Sequence, residues 1–388
     1  MNKRICHIVQ SYYPRDPRIR REATALVNAG YEVDVVCLKA PDQPKRETFE
    51  GVNIIRLPLE RRRGKVSRYI FEYASFLFMA FWYLALRPLR YSLIHISNLP
   101  DFLIFSGAVP KLFGVPILLD EHDPMPEIFE ARYKIKHGSK AEKFVEWQQK
   151  ASLKFATRVI TTTDALAENY KNKYYDRDIK VIMNLPDTAL FDGKPKTIEN
   201  DPSKPFAMVF AGTVTESYNI DVAVKALPII RKEVPNITLT VIGGGPELGK
   251  LKELAKELKV DDIVTFTGDK PLSEIPGLLE KFDVGVSTLK PTVQSELCFT
   301  TKSAEYAAMG LPVLSAHQSL LEKYYPAGMV EYFEPGSPDS FAAGAIRLWQ
   351  NPDRRREMSQ SAQKYVKEKF NWSAESKKYT DLISEWRK

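Results

Sequence analysis

Short apolar runs punctuate the first half of the chain at 4–9, 32–38, 54–57, 93–96, 116–119 and 158–161. Amphipathic stretches at 19–29, 101–113 and 141–155 stand between several of them. Alternation of strand-length and helix-length segments predicts a parallel sheet with helices on both faces. A polar seam carrying Pro and Gly follows at 184–204, and then the pattern restarts. Its strands are expected at 207–211, 237–241, 263–266, 284–286 and 312–314, with helices at 221–234 and 246–258. Two doubly wound sheets in series describe this better than one sheet of about eleven strands. The expected fold class is therefore α/β, with two Rossmann-like parallel-sheet domains facing across a ligand-binding cleft. The boundaries read as 1–186 and 187–370, with a C-terminal helix at 371–388 packing back towards the first domain.

The most hydrophobic segment is 73–86, in which six of 14 residues are aromatic. A helix of that length spans roughly 21 Å, short of the ~30 Å hydrocarbon core of a bilayer. Arg61, Arg62, Arg63, Lys65 and Arg68 precede it, and Arg87 and Arg90 follow. Basic flanks of this kind suit a segment lying at a membrane interface, whereas apolar residues all round suit a buried helix. Both readings stay open.

Charge sharpens the picture. Residues 1–200 hold 32 Lys and Arg against 24 Asp and Glu, and residues 201–388 hold 24 against 25. A basic field confined to one half points to an anionic surface as partner. No helix-turn-helix, zinc-finger or RNA-platform motif accompanies the charge, so nucleic acid is not expected. Cys6, Cys37 and Cys298 are too widely spaced for a disulfide framework or a zinc site, and they suit reduced thiols in the cytoplasm. The N-terminus carries no signal-peptide pattern.

The stretch 299–314 concentrates the chemistry. Thr300 or Thr301 is a competent N-cap, a helix is expected to about Met309, and Gly310 would stop it in the left-handed conformation. Open amides and the positive end of the helix dipole suit a diphosphate. Lys302 in the first turn adds a full charge where a leaving group becomes negative. Glu305, three residues on, shares its face and suits the two hydroxyls of a ribose. An ordinary surface Lys–Glu pair is the competing reading. Two other motifs are decoys. Gly244–Lys250 mimics a P-loop, but Leu251 replaces the hydroxyl residue that would hold magnesium. Asp176-Arg177-Asp178 precedes a strand instead of ending one, and reads as a surface loop.

Lys302-x-x-Glu305-Tyr306-x-Ala308-x-Gly310-x-Pro312-Val313 resembles the nucleotide-binding helix of the retaining glycosyltransferases of family 4, the subset with Lys-x-x-Glu-Tyr. The resemblance runs in order along the chain: 13–22 with Gly30-Tyr31-Glu32-Val33, 98–101, 120–127, 184–187, 210–213, 242–247 and 266–268. It implies the two-domain GT-B fold and retaining, metal-independent transfer from a nucleoside diphosphate sugar of UDP or GDP type. No permanently bound cofactor is implied. By position it assigns His122 to the donor sugar, and Lys302, Thr300 and Thr301 to the diphosphate. Glu305 would take the ribose, Gly212 and Thr213 the turn below the phosphates, and Gly268 the flank of the base. Asp16, Arg18, Asn98, Asp101, Asp123 and Glu296 are candidates for donor-sugar or acceptor contacts.

Three positions depart from the family pattern. Leu297 stands eight residues before Glu305 where many members carry a first glutamate, with Glu296 one position off. The opening loop has Arg15, Asp16 and Arg18 in place of paired glycines, and Thr213 stands where many relatives place arginine. The expected acceptor is a glycan or lipid-linked glycan of bacterial envelope polysaccharide synthesis, used by a cytoplasmic enzyme peripheral on the inner face of the membrane. A nucleotide-sugar epimerase or a phosphorylase of the same shell, or an inactive membrane-associated scaffold, are the alternatives.

Overall fold

The computed structural model describes residues 3–62, 66–133, 138–175, 177–194 and 204–386. Arg63, Lys65, Asp176 and residues 195–203 of the seam fall outside them. The chain divides into two compact units, Met1–Asn184 with Glu375–Lys388, and Leu185–Ala374.

In the first unit eight strands are described: β1 (Arg4–Ile8), β2 (Glu32–Leu38), β3 (Arg46–Phe49), β4 (Val52–Leu57), β5 (Leu93–Ser97), β6 (Ile117–Glu121), β7 (Arg158–Thr161) and β8 (Ile179–Val181). They pair in the order β3-β4-β2-β1-β5-β6-β7-β8, parallel throughout except for the β3–β4 hairpin. The order reverses at β1, so the crevice above the carboxyl ends of β1 and β5 is where such a sheet binds ligands. The loops after β1, β5 and β6, with the first turns they lead into, carry Asp16 and Arg18, Asn98 and Asp101, and His122 and Asp123. The strand expected at 116–119 runs on to Glu121, which puts Asp120 and Glu121 inside the sheet with no exposed surface. The helix expected over 101–113 is a 3₁₀ segment, Asp101–Gly107, followed by a short α-helix, Ala108–Leu112.

Helix Pro17–Asn28 begins where its sequence signals it. Asp16 is extended (φ −81°, ψ 108°), and its carboxylate accepts from the Arg18 amide at 3.2 Å, while Pro17 occupies the first turn. Helix Val66–Ala85 takes in most of the hydrophobic segment. It buries Glu72, Phe76, Ala80 and Leu84, a stripe spaced four residues apart, and leaves its other side in solvent. Helix Trp372–Trp386 ends the described chain. From Glu375 onward it belongs to the first unit, where Glu375 accepts from the Met183 amide at 2.8 Å and Tyr379 is fully buried.

Among the described residues the second unit has six strands: β9 (Phe206–Ala211), β10 (Ile237–Ile242), β11 (Val264–Gly268), β12 (Val284–Ser287), β13 (Val313–Ala316) and β14 (Val330–Phe333). All pair in parallel, in the order β11-β10-β9-β12-β13-β14, with the reversal between β9 and β12. Phe210, Val241, Val286 and Leu227 anchor a continuous apolar core beneath that edge. Backbone loops above it are therefore held on a rigid platform.

Candidate functional site

Above the switch point of the second unit, β9 ends at Ala211 and turns sharply through Gly212. Gly212 has φ 147° and donates its amide to the Ile242 carbonyl at 2.8 Å. Gly243 has φ 137°, and a Cβ there would lie 2.0 Å from the Gly212 oxygen. Two chain segments thus pass at backbone contact, which only glycines allow. Gly268 closes the neighbouring strand with φ 71°, its carbonyl accepting from the Gly243 amide at 2.9 Å, and Thr213 stands exposed beside the turn.

Helix Lys302–Ala308 faces this turn. Tyr306 fixes it there: its hydroxyl accepts from the Ala211 amide at 2.8 Å, and its ring fills the space a side chain at position 285 would need. Gly310 ends the helix with φ 72°. Thr301 corrects the capping expectation. It occupies the N-cap position with helical backbone (φ −68°, ψ −21°), so its hydroxyl does not swing over the first amides and makes no capping bond. Thr300 accepts from the Ser303 hydroxyl through its carbonyl, not through its side chain. The amide end of the helix is left without a side-chain cap.

Lys302 is 8% exposed, and its Nζ lies 3.7 Å from the centroid of the Tyr218 ring. Among the described residues no carboxylate comes within ion-pair distance of it. A Cβ on Gly212 would sit 2.4 Å from its Cε, which places the ammonium directly over the glycine turn. A desolvated ammonium balanced by ring faces alone is electrostatically incomplete, and an anion completes it. Glu305 is half-buried on the same face, its carboxylate free of hydrogen-bond and ion-pair partners among the described residues. Glu296 sits half-buried in the short helix Val293–Leu297. Tyr218 was not legible as part of this site. Its one signal is an aromatic residue in the loop that follows the glycine turn. A separate cavity of about 570 Å³ lies on the flank, lined by Thr215, Asn219, Lys250 and Lys290 among others. Carboxylates of Glu216, Asp221, Glu247, Glu253 and Glu257 outnumber its lysines, the wrong sign for a diphosphate.

The first unit assembles a different constellation. Arg18 reaches Asp120 through Nη2 and Glu22 through Nε at 3.0 Å. His122 follows β6 directly, with Nδ1 3.7 Å from Asp120 and Nε2 3.8 Å from Asp123. Asn98 holds the loops together. Its Nδ2 donates to Glu121 at 2.9 Å, to Asp101 at 3.2 Å and to the Asp123 carbonyl at 2.8 Å, while its Oδ1 accepts from the His122 amide. Asp101 has no exposed surface, and burial pushes its carboxyl up to about 7. Asp16 spends its carboxylate on the helix cap and on the Ser11 hydroxyl at 2.9 Å. Of the sequence candidates here, His122, Asp123, Asp16 and part of Arg18 keep exposed surface, while Asn98 and Asp101 are buried.

Beneath them lies a buried layer that sequence reading missed. His7 and His95 stack at 4.0 Å with planes 13° apart, His7 shares a 2.8 Å hydrogen bond with Ser97, and His95 one with Tyr379. Glu22 closes the group. His7, Glu22 and His95 offer three potential metal ligands. However, the in-plane lone pairs of parallel rings run side by side and do not converge on one ion. The available signal was two histidines inside otherwise apolar strands.

These surroundings set opposite titrations. Burial and Arg18 oppose charge on His122, but Asp120 and Asp123 outweigh them and raise its pKa above the ordinary 6.5. Burial, with His95 beside it, drives His7 well below 6.5. Pairing of charged His122 therefore adds stability that is present below pH 6.5 and lost as pH rises through its raised folded value. Neutral His7 acts the other way, costing stability as pH falls below 6.5, where the unfolded chain takes up the proton. An NMR titration of the ring resonances should show His122 with a midpoint above 6.5 and His7 still neutral under mildly acidic conditions. Coincident midpoints near 6.5 would contradict the arrangement.

With this geometry in place, comparison with known proteins is informative. Residues 16–184 match the model of the glycosyl transferase 4-like domain, and residues 194–365 that of the glycosyl transferases group 1. A GDP-mannose-dependent alpha-(1-6)-phosphatidylinositol monomannoside mannosyltransferase of Mycobacterium tuberculosis is 28% identical, over 42% of this chain and 43% of its own. The chain spans about half the length of the first curated relatives it matches. In fold, it resembles the sucrose-phosphate synthase of Thermosynechococcus elongatus (TM-score 0.78, 20% identity, 99% of both chains). It also resembles HepE of Anabaena solved with UDP-glucose (TM-score 0.73, 15% identity, 98% of this chain and 99% of that one).

Proposed function

Because the chain belongs to the glycosyltransferases, with the 4-like domain in its first half and the group 1 domain in its second, we propose that it moves a sugar from a nucleoside diphosphate sugar to an acceptor hydroxyl, keeping the anomeric configuration. The observation that carries this reading is the buried Lys302 ammonium, without a carboxylate partner among the described residues, above the Gly212 turn. The diphosphate completes its charge, Thr300 and Thr301 bring the open amides of the helix to the phosphates, and Glu305 takes the ribose hydroxyls. Gly212 and Thr213 let the backbone approach, and Gly268 borders the base.

In the reaction the bond from the anomeric carbon to the diphosphate oxygen breaks, and the bond to the acceptor oxygen forms on the same face. The acceptor proton passes to the departing phosphate. Lys302 and the helix amides stabilise the charge that develops on that phosphate, a step that depends on preorganised charge instead of a protein nucleophile. His122, with Asp123 beside it, is assigned to the donor sugar. Asp120 and Arg18 hold the ring's surroundings.

A membrane-borne glycan is the proposed acceptor, at the inner face of the cell membrane. The phosphatidylinositol mannoside in the mycobacterial relative's name supports it, as does the basic first half. UDP and GDP both stand as donor nucleotides, since HepE was solved with UDP-glucose and the mycobacterial relative is named for GDP-mannose. A thermal-shift panel of UDP- and GDP-sugars tests the reading. One of them at 100 Kd should stabilise the protein by about 2.7 kcal/mol, with the matching nucleoside monophosphate far weaker. No shift with any of them would remove the reading.

A further inference from the structure

Helix Val66–Ala85 buries one stripe in the first unit, and the opposite stripe, Phe71, Ala74, Phe78 and Trp82, faces solvent and continues into Leu86. Phe78 is 64% exposed and Leu86 72%. These positions recur at three- and four-residue intervals, so they form one ridge along the whole helix. The neighbouring Ala108–Leu112 helix packs against it and adds Leu112, 86% exposed, and Phe113. An apolar surface this continuous is not ordinary solvent-facing surface.

Charge identifies what covers it. In sequence Arg61, Arg62 and Arg68 stand before the ridge and Arg87 and Arg90 after it, and Lys111 lies on the neighbouring short helix. Glu72 is buried and holds Arg68, Glu60 pairs with Arg62 and Asp34 meets Arg90 at 3.5 Å, which leaves Arg61, Arg87 and Lys111 with no carboxylate within ion-pair distance among the described residues. A second copy of the chain across a two-fold axis would set these basic ends against one another. An anionic lipid surface neutralises them while its acyl region takes the aromatic side chains. No helix among the described residues is long and apolar enough to cross a membrane.

We propose that this ridge seats the protein on an anionic bilayer, the helix lying in the headgroup plane with Phe71, Phe78 and Trp82 inserted. The proposal deepens the reading of a membrane-borne acceptor by naming the surface that meets the membrane, and its test does not depend on turnover. Sedimentation with phosphatidylcholine vesicles, with and without phosphatidylglycerol, is the measurement. The protein should bind the anionic vesicles, more weakly at high salt, and F78S/W82S should lower the partition coefficient by about 10²-fold. Both substituted positions are exposed, so the melting curve and the thermal shift with nucleotide sugar should match wild type. Failure of the wild-type protein to bind at low salt overturns the proposal, as does unchanged binding by F78S/W82S. So does a stable dimer in sedimentation equilibrium that the same variant dissociates. Absent vesicle binding by the wild-type protein with its nucleotide shift intact sinks this surface alone, whereas an absent nucleotide shift with vesicle binding intact sinks the catalytic reading alone.

Discussion

Replacing Lys302 by methionine is expected to lower kcat by about 10²–10³-fold, the scale of removing one preorganised charge from a transition state. The physical case rests on what the ammonium lacks. At 8% exposure, with the Tyr218 ring 3.7 Å from Nζ and no carboxylate in reach among the described residues, it is a charge held ready at a cost to folding. Methionine keeps the length and apolar contacts of the stem and removes the desolvated charge. The melting temperature of the free protein should therefore hold or rise while turnover collapses. A structural lysine would give the reverse, a lower melting temperature with turnover near wild type. Steady-state kinetics with the identified donor, beside a melting curve without it, separates the two.

Gly212→Ala should lower kcat/KM by about 10²-fold through displacement of that same group. At φ 147° an alanine is strained, and its Cβ would stand 2.4 Å from Lys302 Cε. The lysine end is flexible, so the chain is expected to fold and the ammonium to be pushed off its position. Misplacement of a charge by about 1 Å is enough for a loss of that size. Gly328→Ala is the control. Its φ of 85° imposes a comparable backbone cost, but nothing lies within 4 Å of the added carbon. Equal losses of activity in both variants would mean that general strain, not the position of Lys302, explains the effect.

The sequence was most legible where one force dominates. β2 and β7 match their apolar runs residue for residue, because buried parallel strands need continuous apolar side chains. The helix Lys302–Ala308 was legible through Gly310 just beyond it, yet Thr301 shows the limit: residue type permits a cap, and only backbone angles decide whether it is made. β3, Arg-Glu-Thr-Phe, escaped because an exposed antiparallel edge needs no apolar pattern. β14 is only four residues long, and its Glu331 is buried by pairing with Arg347 and Arg354, which no periodicity reveals. His122 was placed by the family resemblance, although Asp120 and Glu121 before it turned out to be sheet residues serving Arg18 and Asn98. The layer below it depends on strands β1 and β5 lying side by side, which brings His7 and His95 together across 88 positions of chain.

A co-crystal structure with the nucleoside diphosphate of the identified donor bears most directly on all of this. The account predicts pyrophosphate oxygens within ion-pair distance of Lys302 Nζ, above the Gly212 turn, and the ribose hydroxyls on the Glu305 carboxylate. A nucleotide seated in the acidic flank cavity beside Lys250 and Lys290, with Lys302 still covered by Tyr218, would contradict it.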